Sequence, residues 1–501
     1  MILRIDGDLK PYYAQTLCMM FFPGVHFPEN EASAPDVPEA SFTIRCEENH
    51  AFADVTLQLN GRTVPASARY EIDAETAPAK AAQLAAGAAF FEAASTLTGI
   101  RPPWGMLTGV RPAKIATALL EAGFSPEKAA EHITAQYLTR PHKARLAVEV
   151  ASAERRLLRP ELVRACSVYI AIPFCPSRCS YCSFVSYTSG KLLSLLPEYL
   201  QALRRNIHTV FDMPRMLGIP VSTVYIGGGT PTVLDAAQLS FLLEAVREET
   251  DVSALKEFTL EAGRPDTITA EKLAIARDAG VTRISVNTQT LNDEVLRAVG
   301  RRHTAAQFFD AYEIARASGI PQINVDLIAG LPGESADSFS HSLDQIAALR
   351  PDNVTVHSFS VKKAAEIRQS DENVYDREGT AAAASVDYAG DALSRSGYIP
   401  YYMYRQKNTV GNLENVGYAL PGTEGLYNIY MMEEVHSIFA AGASAVTKLV
   451  SPAGEHGGNH IERIFEAKYP YEYLKAYSGD ASDRREKEYR QTVREFYSKY
   501  F

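Results

Sequence analysis

Between residues 166 and 359, six short apolar, β-branched runs alternate with helical patterns, and this rhythm constrains the fold more than any other feature of the chain. The runs are CSVYIAI (166–172), STVYIG (222–227), KEFTLEA (256–262), TRISVNT (282–288), QINVDLI (322–328) and DNVTVHSF (352–359). Helical patterns near 197–213, 235–249, 269–279, 304–318 and 335–348 separate them. Strands joined by helices of this length imply parallel βαβ units. Six of them fit a partial (β/α) barrel or an open, doubly wound sheet.

The flanks read differently. Residues 1–7, 41–46 and 51–57 are strand candidates, and Asn60-Gly61 between LQL and RTV is a strong hairpin signal. From residue 77 the texture turns helical, with an alanine-rich helix followed by helices around 112–122, 126–136 and 142–158. The loop RPPWGMLTGVRP holds the only tryptophan, Trp104, which reads as a packed aromatic anchor. After 365 the rhythm stops. A helix around 379–396 precedes an aromatic stretch, a strand pair through 427–450 and a charged tail predicted to be an amphipathic helix. The predicted regions are 1–75 (α+β), 76–160 (helical), 161–365 (parallel strands) and 366–501 (α+β, shaping a substrate cleft).

Composition removes several classes. Fifty basic against sixty acidic residues leave a net charge of −10, which argues against general nucleic-acid binding. No apolar run approaches the roughly 18 residues of a membrane span, and the start does not read as a signal peptide. Six cysteines in 501 residues are too few for a disulfide scaffold. The expectation is a cytoplasmic protein with reduced thiols. Cys18, Cys46 and Cys166 stand alone, whereas Cys175, Cys179 and Cys182 share one loop after the first strand, IPFCPSRCSYCSF.

Three thiolates in eight residues suit zinc or an iron–sulfur cluster. A structural zinc site needs a fourth ligand, and none lies nearby in sequence. A cubane held by three thiolates leaves one iron open. Other chemistry-bearing residues fall at the carboxyl ends of successive strands, where parallel barrels place their sites. Gly227-Gly228-Gly229-Thr230 follows strand 2, and Glu261 ends strand 3. Gln289 follows strand 4, Asp326 sits late in strand 5 before AGLPGE, and His357 ends strand 6. The two acids can accept from hydroxyls or an ammonium group. The pair Arg301 and Arg302 beside His303 suits a carboxylate. His357 reads more simply as a satisfied core or rim histidine.

The CxxxCxxC order after a first strand resembles the radical S-adenosylmethionine (SAM) superfamily. YIAIPFCPSRCSYCSF, VYIGGGTPT, TLEAGRPDTIT, RISVNTQTLNDEVLRAVGRRHT and INVDLIAGLPGE together resemble its oxygen-independent coproporphyrinogen oxidase branch. The long N-terminal extension and YYMYRQKNTVGNLENVGY are similar to the HemZ-type coproporphyrinogen dehydrogenases. The resemblance implies an α/β fold with a partial (β/α)6 radical SAM barrel, a [4Fe–4S] cluster and one or two molecules of SAM. It gives Cys175, Cys179 and Cys182 to the cluster, and Tyr169, Tyr181, Gly228, Gly229, Thr230 and Glu261 to SAM. It gives Gln289, Arg301, Asp326 and Ser360 to a second SAM.

The resemblance also implies the reaction. A 5′-deoxyadenosyl radical removes hydrogen from the β-carbon of a propionate. Loss of CO2 and one electron leaves a vinyl group, and two rounds turn coproporphyrinogen III into protoporphyrinogen IX in porphyrin and haem biosynthesis. An electron donor and an acceptor are implied partners. The substrate is a tetra-acid, for which Lys362, Lys363, Arg368, Arg405 and Lys407 are the candidate cations and Tyr401, Tyr402 and Tyr404 the candidate ring contacts. Two departures point elsewhere. The oxidase branch has a fourth cysteine where Phe184 stands and a histidine where Ala171 stands, and CSYCSF is similar to the haem-chaperone branch. Haem binding or delivery, or radical chemistry on another substrate, are the alternatives.

Overall fold

The computed structural model describes the chain except residues 29–33, 74–75, 183–186, 361–378, 407–408 and 455–457. The amino-terminal sheet has the order β1 (Ile2–Asp6), β2 (Glu39–Cys46), β3 (His50–Leu59), β4 (Arg62–Glu71). Asn60 and Gly61 both take positive φ (52° and 73°) and join β3 to β4 with Leu59 opposite Arg62, the two-residue hairpin that an Asn-Gly pair favours. Period-two alternation turns Phe42, Ile44, Val55 and Leu57 to one face. Helices Pro11–Phe21 and Pro78–Thr98 join the same core, where Phe42 stacks on Phe90 at 5.5 Å. Alanines dominate the buried side of Pro78–Thr98, which lets the helix lie close on the sheet.

Among the described residues the main sheet has eleven strands. Its centre is β5 (Cys166–Ile172), β6 (Val221–Gly228), β7 (Glu257–Glu261), β8 (Arg283–Ser285), β9 (Gln322–Ala329) and β10 (Asn353–Ser358), all parallel and neighbours in sequence order. A doubly wound sheet reverses its strand order within its run of consecutive parallel strands; β5 to β10 follow one another without a reversal, as a partial barrel requires. β5 and β10 do not pair with each other, and the barrel stays open. The strand over 282–288 is shorter than expected, because Asn287 and Thr288 leave the ladder.

The region after 378 is woven into this sheet on both sides. β11 (Ile399–Arg405) and β12 (Glu414–Ala419) continue past β10, with β12 antiparallel to it. β13 (Ser437–Ala441) lies parallel to β5, followed by β14 (Val446–Ala453) and β15 (Asn459–Phe465). The strand pair expected through 427–450 is β13 and β14, but Leu426–Glu433 is a helix. Its first N–H groups, on Leu426 and Tyr427, donate to the Glu257 carboxylate from β7 (2.8 and 3.3 Å). A tertiary cap thus overrides the β propensity of YNIYMM. The charged tail is the helix Asp480–Tyr500, as expected.

Alternation also sorts the barrel by chemistry. Val168, Ile170, Val224, Ile226, Phe258, Leu260, Val325 and Val354 are fully buried in the apolar core. The intervening positions, among them Tyr169, Tyr225, Thr259, Glu261, Ser285, Asp326, Thr355 and His357, turn to the other face and make it polar. At the amino ends of the strands Arg283 donates to Glu257 (3.2 Å), to Asn353 and to the carbonyls of Thr423 and Glu424 (2.8 and 3.1 Å). These contacts fix the 423–427 segment across that end. The carboxyl ends carry the site.

Candidate cofactor site at the carboxyl ends of the parallel strands

The cysteine loop leaves β5 and is held by the glycine run that leaves β6. Gly229 N–H donates to Ile172 O and Thr230 N–H to Phe174 O, both at 2.8 Å. A Cβ on Gly229 would lie 2.6 Å from Phe174 O and 2.8 Å from Ile172 O, so only glycine lets the two segments meet. Thr230 is buried, and its hydroxyl donates to Cys175 Sγ at 3.4 Å. Cys175 is buried, while Cys179 and Cys182 are half-buried. Burial, with the two neighbouring thiols adding to it, pushes the Cys175 thiol up to about 11.

Two buried arginines grip this loop from the next strands. Arg264, just past β7, forms a bidentate pair with Asp266 (both contacts 2.9 Å) and donates to Ser177 Oγ at 2.6 Å and Ser177 O at 3.3 Å. Ser177 lies between Cys175 and Cys179. Arg301 donates to Gly263 O (3.1 Å), to Asn287 O (2.6 Å) and, at 3.5 Å, to the Tyr181 hydroxyl beside Cys182. Its Nε is buried without a partner.

A second group lines the polar face. Tyr225 donates to Glu261 Oε1 at 2.5 Å and Gly228 N–H to Oε2 at 3.3 Å. Burial, reinforced by Asp326, pushes the Glu261 carboxyl up to about 7. Asp326 goes the other way. Burial opposes its charge, but His357 (3.8 Å from Oδ2) and Asn324 (2.7 Å to Oδ1) hold it below the usual aspartate range. Tyr169, Tyr225 and Tyr427 form a stack, with Tyr225 and Tyr427 centred 4.5 Å apart.

Comparison with known proteins places this architecture. The model of the radical SAM superfamily matches residues 169–346. The oxygen-independent coproporphyrinogen-III oxidase-like protein HemZ of Bacillus subtilis is 40% identical over 358 residues, covering 70% of this chain and 71% of HemZ. The chain belongs to the radical SAM superfamily, among the HemZ-like proteins. A heme chaperone HemW from Lactococcus lactis is 32% identical, over 56% of this chain and 69% of its own. In the solved structure of Escherichia coli HemN, a coproporphyrinogen III oxidase described as a radical SAM enzyme, 65% of this chain and 71% of that one superpose. The TM-score is 0.50 and the sequence identity 26%.

The cofactors of this superfamily are a [4Fe–4S] cluster and SAM, and the residues fit them. Among the described residues no three His, Cys, Asp or Glu side chains converge on a point that one metal ion could occupy. A cubane takes its thiolate ligands on separate irons, and one loop here supplies three thiols, Cys175, Cys179 and Cys182. Ser285 Oγ, Asn287 Oδ1 and Arg301 Nε are buried near the ends of β7 and β8 without hydrogen-bond partners. Orphaned polar atoms of this kind are costly unless a polar ligand meets them.

The structure gathers Tyr169, Gly228, Glu261 and Asp326 on one side, and Cys175, Thr230, Tyr181 and Arg301 on the other. Gln289 is buried, takes a positive φ of 75°, and is tied by its N–H to Asp326 O at 3.0 Å, which sets it beside the acid. Ser360 bridges Thr409 just past β10.

Several expectations change. Arg301 and Arg302 line one cavity with His303 but differ in burial, the first buried and donating to Gly263 O and Asn287 O, the second exposed. Arg405 is not a substrate cation. It is 8% exposed and donates to the carbonyls of Leu107 (2.6 Å), Gly109 (3.4 Å) and Asn412 (3.2 Å), with its guanidinium over the Trp104 ring. Tyr401 belongs to a buried core with Ile429 and Tyr430, while Tyr404 reaches His357 Nδ1 at 3.4 Å. Lys362, Lys363, Arg368, Lys407 and Phe184 lie outside the described residues.

Sequence reasoning missed Tyr225, Arg264 and Tyr427. Tyr225 shares its face with Gly227 by simple alternation, a signal that was present in VYIGG. Arg264 and Tyr427 reach segments 87 residues or more away, a loop for the first and two strands for the second, and nothing local marks them.

Proposed function

We propose that this protein oxidatively decarboxylates two propionate side chains of coproporphyrinogen III to give protoporphyrinogen IX. What carries the reading is the cysteine loop with Glu261 and Asp326 at the carboxyl ends of the parallel strands, where Ser285 Oγ, Asn287 Oδ1 and Arg301 Nε are buried without hydrogen-bond partners. The similarity to an oxidase-like relative over 358 residues, well beyond the barrel, supports it.

When bound, the cluster and SAM supply a hydrogen-abstracting carbon radical. Cys175, Cys179 and Cys182 hold the cluster, and Arg264 and Arg301 keep the loop in place. Glu261, oriented by Tyr225, accepts from the ribose hydroxyls or ammonium of SAM, with Gly228, Gly229, Thr230, Tyr169 and Tyr181 around it. Gln289, Arg301, Asp326 and Ser360 would contact a second SAM, as the resemblance implies. At each propionate the β-carbon loses a hydrogen atom, the Cα–carboxyl bond breaks to release CO2, and one electron leaves to an acceptor as the vinyl forms.

The test is an anaerobic turnover assay on reconstituted protein with reductant, SAM, coproporphyrinogen III and an electron acceptor, with Cys179→Ala as control. Release of CO2 with formation of protoporphyrinogen is expected, and a competent cluster that gives neither refutes the reading. The 32% identity to a heme chaperone motivates a second reading, haem binding. A saturable Soret shift on haem titration, without turnover, would favour it.

A further inference from the structure

Tyr427 belongs to the carboxyl-terminal region, beyond the residues 169–346 that the superfamily model matches, yet its ring packs against β5 and β6. It is 5% exposed and stacks on Tyr225 with centroids 4.5 Å and planes 26° apart, and it reaches Tyr169 at 6.3 Å. Its backbone is pinned from the amino end of β7. There the Glu257 carboxylate takes the N–H groups of Leu426 and Tyr427, and it also accepts from Arg283 Nε at 3.2 Å and Thr259 Oγ1 at 3.1 Å. Tyr225 is crowded by its own strand as well. A Cβ on Gly227 would stand 2.7 Å from Tyr225 Cε1 and 2.9 Å from Glu261 Cδ. Confined in this way by Gly227 and Tyr427, the phenol of Tyr225 donates to Glu261 Oε1 at 2.5 Å.

We propose that Tyr427 is a positioning residue of the SAM site: by packing on Tyr225 it holds the phenol hydroxyl on Glu261 and so keeps that carboxylate set to accept from SAM. A site built on the barrel strands is then complete only once the start of the helix Leu426–Glu433 has docked. The Tyr225 hydroxyl and the Gly228 N–H favour the charge on Glu261 against its burial. With the phenol released, the carboxyl holds its proton more tightly and grips an ammonium or a ribose hydroxyl less well. Asp326 from β9, His357 from β10, Tyr169 from β5 and Tyr427 itself face the same carboxyl, so Tyr225→Phe is needed to single out the hydroxyl. The proposal rests on the assignment of Glu261 to SAM and not on the tetrapyrrole. Its readouts use no porphyrin, so it can fail while the oxidase reading stands, and the reverse.

The experiment measures SAM affinity by calorimetry as a function of pH on the reconstituted protein and its variants. At neutral pH Tyr427→Leu is expected to raise the Kd about tenfold, the effect of losing one hydrogen bond to a charged group. The midpoint of the pH profile should move upward by up to about one unit. Tyr427→Phe keeps the ring and should recover most of the affinity. Tyr225→Phe removes the hydroxyl itself and should reproduce the loss. Tyr225→Phe/Tyr427→Leu should bind no more weakly than Tyr225→Phe alone, because both changes act on one contact. Without SAM, the infrared carboxyl band that Glu261→Gln abolishes should titrate at higher pH in Tyr427→Leu. Iron and sulfide per chain are measured on every variant, and Tyr427→Met, which fills the space without a ring, replaces Tyr427→Leu where that chain takes up less cluster. An unchanged midpoint, an unmoved carboxyl band, a Tyr427→Phe variant as weak as Tyr427→Leu, or losses that add in the double variant would each overturn the proposal.

Discussion

Replacing Lys143 by Met should loosen the joint between the helical extension and the main sheet. Lys143, on helix Pro141–Leu157, is 2% exposed, and its ammonium donates to Glu414 Oε1 at 2.5 Å and to Asp387 Oδ1 at 2.7 Å. Burial works against its charge, but the two carboxylates outweigh this and raise it above the usual lysine range. Glu414, at the start of β12, is fully buried, and its other oxygen accepts from Trp104 Nε1 at 2.6 Å. Without the ammonium the Glu414 carboxylate keeps only the indole N–H as a hydrogen-bond donor among the described residues, with the buried Arg405 guanidinium as its remaining nearby cation. Breaking one side of such a buried pair costs about 3–5 kcal/mol. The Asp387 contact adds little, because that carboxylate is 37% exposed and screened by solvent.

A chain of this size need not unfold in one step, so the assay is hydrogen exchange of peptides covering 141–157 and 414–419. At 1.4 kcal/mol per factor of ten, the opening constant there should rise by about two to three and a half orders of magnitude. Lys143→Met/Glu414→Gln removes the stranded charge and should recover most of the loss. A change below about tenfold, or a double variant no better than the single one, would refute the argument.

Gly229→Ala should cut cluster incorporation, read as iron and sulfide per chain, because its Cβ must displace the Phe174 and Ile172 carbonyls. The polar shell of the site gives two further outcomes. Arg264→Lys keeps the charge but loses the fork that reaches Asp266 and Ser177 together, so it should shift the cluster's EPR signal and speed cluster loss to a chelator; Arg264→Ala should do both more strongly. SAM affinity, measured by calorimetry, should fall as pH drops through about 7, by up to about tenfold per unit, and Glu261→Gln should flatten that profile. The sign for stability is opposite. A carboxyl raised by burial favours the fold at pH below its unfolded value of about 4.3, and this is lost as pH rises through about 7, so Glu261→Gln should melt higher at pH 8.

The parallel strands were legible because each couples β-branched runs to a following amphipathic helix, and β5 falls on residues 166–172 as read. Helix Pro11–Phe21 was not legible, since PYYAQTLCMMF shows little amphipathic contrast. Leu426–Glu433 misled for a different reason, its N-terminus being satisfied by Glu257 from a strand 169 residues earlier. In the site, cysteine spacing and strand-end acids were written locally. The grips of Arg264 on Ser177 and of Trp104 on Glu414 join distant segments, and no periodicity encodes them. The tetra-acid's expected cations lie in segments beyond the described residues, apart from Arg405, whose charge is spent inside the fold.

The pairing of β5 with β13 also sets a timetable. β5 is complete when residue 172 is made, yet its open edge waits for residues 437–441. At 5–20 residues per second that edge stays bare for about 15–50 s during synthesis. The β10 edge waits for residues 414–419, a shorter interval. Between the completion of β10 at residue 358 and the arrival of residues 414–419 the nascent chain therefore offers both of these unpaired strand edges to its neighbours, and the β5 edge stays bare beyond that. A ribosome stalled between residues 360 and 440 would release a chain whose parallel strands are all present and whose β5 edge is still unprotected, and such a chain should aggregate far more readily than one stopped after β15.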